Sequence, residues 1–110
     1  MGRTRFDEYL SDSIAAGGQD VHTLPLVPTG QSWRLAKFGG GAVEKAAIAL
    51  QANLGGTWTT VRLIVAPDGD EFQVDRDFTG DGTLRFRIVR QNKHTAPQDV
   101  VAWLEGYRRD

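Results

Sequence analysis

Val74-Asp75-Arg76-Asp77-Phe78-Thr79-Gly80-Asp81-Gly82-Thr83-Leu84-Arg85-Phe86-Arg87-Ile88 is the stretch whose reading decides the fold. Leu84, Phe86 and Ile88 alternate with Arg85 and Arg87, the period of two that marks a half-buried strand. Phe72, Val74 and Phe78 supply the inner face of the strand before it. With Gly80-Asp81-Gly82 as a hairpin loop, Phe78 faces Leu84 and Val74 faces Ile88, while Asp77 faces Arg85 and Asp75 faces Arg87. Apolar pairs then fall on one side and opposite charges on the other. Each exposed charge pair contributes only about 0.2–1 kcal/mol, but together they favour this register.

The same punctuation continues in both directions. Thirteen glycines and four prolines cut the chain into short runs at nearly even spacing, the pattern of sandwiches and barrels. Residues 57–66 are rich in β-branched and aromatic types, and Val61, Leu63 and Val65 share a face. Pro67-Asp68-Gly69 is expected to close that strand. Residues 19–27 read as a strand that Pro25 confines to an edge or an irregular end, and Pro28-Thr29-Gly30 as a turn. Residues 32–38 follow, with Trp33 and Leu35 on one face, and Gly39-Gly40-Gly41 gives a corner or bulge.

Residues 44–52 suit a helix by alanine and leucine content, but Ala46, Ile48, Leu50 and Ala52 alternate, which favours a strand. Asn53 to Gly56 form a turn, and residues 92–97 a loop. In residues 99–107, Val101, Trp103 and Tyr107 lie on one face and Val100, Ala102 and Leu104 on the other, so this strand should be interior or covered. Residues 3–17 stay open between a short helix, from the spacing of Phe6, Leu10 and Ile14, and an extended arm or edge strand, which Ala15-Ala16-Gly17-Gly18 favours. The expected fold is all-β: a jelly-roll-like antiparallel β-sandwich of seven or eight strands, with residues 1–18 as an N-terminal arm or edge strand and 19–110 as the sandwich domain.

Composition narrows the functions. A chain of 110 residues is the size of one domain and buries only about 65% of its unfolded surface, so partners are expected to add stability. Thirteen basic and fourteen acidic residues nearly cancel, which argues against a dedicated nucleic-acid surface. There is no cysteine, hence no disulfide and no thiolate chemistry. The charged start, through Arg3, Arg5, Asp7 and Glu8, offers no signal peptide, and no apolar run reaches the length of a membrane helix.

The candidate sites are few. Asp75, Asp77 and Asp81 sit among glycines as in a calcium loop, but no ligand follows two residues after Asp77 and no glutamate stands at the twelfth position. His22 and His94 are far apart in sequence and lie in no triad or clustered-ligand pattern, which disfavours a hydrolase or a cupin-like metal enzyme. No phosphate-binding glycine motif precedes a helix. Arg85, Arg87, Arg90 and Lys93 form a basic stripe that, with Trp33 or Trp58, suits single-stranded nucleic acid. Six nearby acids (Asp68, Asp70, Glu71, Asp75, Asp77 and Asp81) oppose a polyanion, so a salt-bridged sheet face is preferred. Trp33, Trp58, Trp103 and Tyr107 are candidates for a sugar platform or, more simply, core, with Trp58 the one expected to be partly exposed. No catalytic residue, cofactor or metal ligand is therefore assigned.

Three segments resemble a known group. Leu26-Val27-Pro28-Thr29-Gly30-Gln31-Ser32-Trp33-Arg34-Leu35 resembles a strand start in small β-sandwich virion proteins of tailed bacteriophages. Asp77-Phe78-Thr79-Gly80-Asp81-Gly82 with Leu84-Arg85-Phe86-Arg87-Ile88-Val89-Arg90 is similar to their central hairpin. Gln98-Asp99-Val100-Val101-Ala102-Trp103-Leu104-Glu105-Gly106-Tyr107 resembles their closing strand. The resemblance covers about two-thirds of the chain. It implies a non-enzymatic capsid cement or decoration protein on the capsid exterior, made in the host cytoplasm, with no cofactor. The implied partners are the major capsid protein and further copies of the chain, as dimer or trimer, without nucleic acid or membrane. Such a protein is expected to carry an aliphatic and aromatic contact patch and an N-terminal arm that packs only on a neighbour. A tail-associated adhesion or carbohydrate-binding module, reading sugars through Trp58 or Trp103, is the second expectation.

Overall fold

A single long hairpin organises the structure, a computed structural model that describes residues 3–109. Its six strands are β1 (Arg3–Ile14), β2 (Gln19–Thr23), β3 (Ser32–Leu54), β4 (Thr57–Thr79), β5 (Phe86–Asn92) and β6 (Gln98–Arg109), all paired antiparallel. β3 and β4 have 23 residues each and pair with one another along their length. Gly55 and Gly56 join them, both at positive φ (62° and 92°). Two successive left-handed residues are what a tight two-residue hairpin needs, and glycine accepts them without steric cost.

β3 bends where its register with β4 slips between Ala42 and Ala46. Before the bend it pairs with β6, which pairs with β1; after the bend it pairs with β5, which pairs with β2. The sheet thus folds over on itself into two layers, a jelly-roll-like antiparallel β-sandwich. Six continuous strands give eight strand segments, because β3 and β4 each serve both layers. The glycine corner read from Gly39-Gly40-Gly41 lies at this bend. A Cβ added at Gly40 or Gly41 would press into backbone of β6 or β4, so the strands cross here only because these positions lack side chains.

The inward faces follow the period of two. Trp33, Leu35 and Phe38 before the bend, Ala46, Ile48, Leu50 and Ala52 after it, Phe86 and Ile88 of β5, and Val100, Ala102 and Leu104 of β6 are all buried. Phe6 meets Trp33 at 5.0 Å, Trp33 stacks on Phe86 at 5.9 Å, and Phe78 meets Phe86 edge-on at 5.1 Å, which ties the layers together. β6, apolar on both sides, lies between β1 and β3.

Several local expectations change. β4 does not form a hairpin with β5; it pairs with β3, and β5 pairs with β3 and β2. Pro67-Asp68-Gly69 does not end a strand but kinks β4, which runs on to Thr79. At the edge of both layers Pro67 forfeits no ladder hydrogen bond, which is why a strand tolerates it there. Residues 24–27 are instead the irregular end allowed at Pro25: they leave the strand of β2, although Leu24 and Val27 still donate their N–H groups to Phe86 and Leu84 carbonyls. Residues 3–14 are a strand of this chain's own sheet, with Phe6 and Ile14 buried in its core, and do not form an arm reserved for a neighbour.

Candidate functional site

The acidic loop comes apart on folding. Asp75 and Asp77 turn to Arg34 of β3, at 3.9 and 3.3 Å, and not to Arg87 and Arg85. Asp81 caps its own turn, accepting from the Thr83 N–H and hydroxyl and from the Leu84 N–H at 2.8–2.9 Å. The Thr83 N–H and hydroxyl, then the Leu84 N–H, hold the Asp81 carboxyl below its ordinary pKa of 3.8. The three carboxylates therefore serve separate partners. Among the described residues no three histidine or acidic side chains converge as metal ligands.

The basic stripe also divides, because adjacent residues of β5 face opposite ways. Arg87 points outward, donating to Gln51 Oε1 at 2.7 Å with its guanidinium 4.0 Å from the Trp58 ring centre. Arg90 is turned into the molecule and is 1% exposed. It binds Asp12 of β1 and Asp20 of β2 at 2.7 Å each, and donates to the Val100 carbonyl of β6 at 2.7 Å. Burial alone would lower the pKa of this guanidinium, but hydrogen bonds and charge from Asp20 and Asp12 outweigh it and raise the value.

Both histidines have structural partners. His22 Nε2 lies 2.8 Å from Glu8 Oε1, linking β2 to β1 across the open side of the sandwich. For His94 the contact is made by the backbone: its amide N–H donates to Asn92 Oδ1 at 2.9 Å. Asn92 is fully buried and donates to the carbonyls of Ile14, Ala15 and Ala96, so it ties the end of β1 to the loop that follows β5. No sequence pattern marks Arg90 or Asn92 as anchors, since their partners are far away along the chain.

Three surface features stand out among the described residues. The first is an outward apolar row. Register pairs Val21 with Val89, Val89 with Ala49, and Ala49 with Leu63, so one apolar line crosses β2, β5, β3 and β4. Val21 and Leu63 are exposed, and Val65 next to Leu63 is 71% exposed. Val61 does not share the face of Leu63 and Val65: those two point to solvent, whereas Val61, beside a slip in the β3–β4 register, packs against the core that Ile64 and Ala66 fill.

The second is a hollow of about 520 Å³ at the bend. Gly40, Gly41 and Gly69 form its side-chain-free floor, and Trp103 and Val43 stand at its rim. Trp103 lies over Gly39 and donates to Glu71 Oε2 at 2.6 Å. Trp33 is core, and Trp58 is half-buried under Arg87.

The third is a hollow of about 340 Å³ at the open end of the core, lined by Thr4, Pro25, Leu26, Pro28, Gln31, Trp33 and Arg108, where the Trp33 indole N–H donates to Gln31 Oε1 at 2.8 Å. Among the described residues no helix is long and apolar enough to cross a membrane.

No protein-family model matches the chain, and no curated protein matches its sequence. Solved structures do share its shape. The crystal structure of the Yersinia pseudotuberculosis-derived mitogen superposes with a TM-score of 0.60 at 11% identity, over 92% of this chain and 84% of that one. A chain from the structure of infectious bursal disease virus, Gx strain, gives a TM-score of 0.53 at 9% identity over 98% of this chain. It spans about a third (32%) of the viral chain. At these identities the likeness is one of fold, and it agrees with the jelly-roll-like architecture.

Proposed function

We propose that this chain is a non-enzymatic structural protein of a virus particle, a capsid cement or decoration protein that binds and stabilises neighbouring major capsid subunits. The observation that carries the reading is the outward apolar row Val21–Val89–Ala49–Leu63, with Val65 beside it. A monomer of this size gains nothing by leaving such a row in water, and rows of this kind mark protein contacts. The row ends at β4, a strand with a free edge, so a partner would meet an apolar surface and unpaired backbone groups together. The fold shared with a viral chain and the resemblance to small phage virion proteins support the same role. Location on the capsid exterior and assembly as dimer or trimer belong to this proposal, with many modest contacts combining through multivalency.

The test is the copy number per purified particle by quantitative mass spectrometry. Hundreds of copies support a cement role. A few copies, or a few dozen confined to the tail, contradict it.

One observation favours a second reading, a tail-associated carbohydrate-binding module. The glycine floor beside Trp103 is an open hollow next to an aromatic ring, while Trp58 is covered by Arg87. Unchanged tryptophan fluorescence across a glycan panel would remove that reading.

A further inference from the structure

Arg108 continues the inward-facing positions of β6, and its side chain closes the open end of the core. Register brings it against Thr4 of β1 and Trp33 of β3. Its guanidinium lies 4.8 Å from the Trp33 ring centre and 5.4 Å from that of Phe6. Stacking on rings satisfies the flat faces of a guanidinium but not the N–H groups, which point outward in its plane. The Arg108 Nε is buried and has no hydrogen-bond partner among the described residues. No carboxylate among the described residues reaches Arg108; the ion pairs at this end of the molecule go to Arg5 and Arg34. Arg3 and Arg109, opposite each other in the β1–β6 register, are likewise without an ion-pair partner among the described residues.

Arg108 thus lines the hollow with a positive charge that has no counter-ion among the described residues, and the outer Nη edge of its guanidinium is the part a ligand there would meet. We propose that this hollow docks an acidic segment of a partner protein. One carboxylate takes the in-plane fork of Arg108, and a neighbouring apolar side chain lies against Pro25 and the exposed Leu26. Two parallel N–H donors match a carboxylate bidentately. The apolar wall suits a peptide better than a phosphate backbone, and a net charge of −1 provides no long-range field for a polyanion. The inference is independent of where in a particle, or elsewhere, the protein acts.

The probe is a blocked pentapeptide alternating aspartate and leucine, titrated into the isotope-labelled full chain and followed at the Trp33 indole N–H and the Arg108 Nε–H. Saturable shifts at both are expected in the millimolar range. The asparagine–leucine analogue should bind about tenfold more weakly or worse. Arg108→Gln should abolish the shift at Trp33, and Arg108→Lys, which keeps the charge but loses the fork, should not restore it; melting curves select whichever variant stays folded. Absence of binding by the acidic peptide, equal binding of the asparagine analogue, undiminished binding by the folded variant, or tighter binding of a thymidine decanucleotide each overturns the proposal.

Discussion

Arg90 and Asp12 meet at 2.7 Å although the arginine is 1% exposed and the aspartate side chain 71% exposed. A buried cation thus reaches through the open side of the sandwich to surface acids on two edge strands, Asp12 on β1 and Asp20 on β2. β1 and β2 are the outer members of the two layers and share no ladder. Arg90 joins them, with the His22–Glu8 contact as a second link.

Replacing Arg90 with methionine should therefore destabilise the fold although the new residue is apolar and of similar length. Hydrogen bonds to Val100, Asp12 and Asp20 vanish together, and the Val100 carbonyl is left buried. A loss of about 3 kcal/mol in urea unfolding is expected. A change below about 0.5 kcal/mol, the scale of an ordinary surface substitution, would mean that the clamp is ornamental.

Acid should act through the same contact. A hydrogen bond from Arg90, then its charge, lowers the Asp12 carboxyl below its ordinary 3.8, and the Thr83 groups do the same for Asp81. A carboxyl depressed in the folded state stabilises the fold above its unfolded value. That stabilisation is lost as pH falls from about 3.8 through the folded values. Melting temperature should hold level above that point and fall below it. In the Asp12→Asn, Asp81→Asn double variant the fall should be shallower; an identical profile would show that these carboxyls do not carry it.

Gly39 is required by Trp103. A Cβ there would enter the space of the Trp103 indole, which is held by Glu71. Gly39→Ala should cost about 1–3 kcal/mol, the range for overpacking. It should cost much less in a Trp103→Leu background, where the ring is gone. Additive losses in the double-variant cycle would mean that the two residues do not collide.

Much of the fold is legible from local pattern. Leu84, Phe86 and Ile88 are inward because a period of two leaves no other face, and Gly55-Gly56 can only turn. The pairing of β4 is not legible, because Gly80-Asp81-Gly82 has good turn chemistry and the β4–β5 register also sorts apolar from charged residues. The structure uses those glycines otherwise: Gly80 exchanges backbone hydrogen bonds with residues 30 and 31, and its missing side chain makes room for the Pro28 carbonyl. Arg34, 41 positions before Asp75, takes the aspartates. The hollow at Arg108 was invisible for the same reason, since Trp33 and Arg108 meet only through the β3–β6 pairing. Cross-strand Hα contacts by NMR should join Trp33 to Phe78 or their ladder neighbours; contacts between strands 74–79 and 84–88 would restore the local hairpin.

The outward apolar row is tested most directly by cosedimentation with purified capsid shells lacking this protein. Leu63→Lys with Val65→Lys alters side chains that are 53% and 71% exposed, so the fold should survive. The wild-type chain is expected to pellet with the shells to saturation, and the folded double variant to stay in the supernatant. Equal pelleting of the two, or failure of the wild type to pellet, would contradict the assignment.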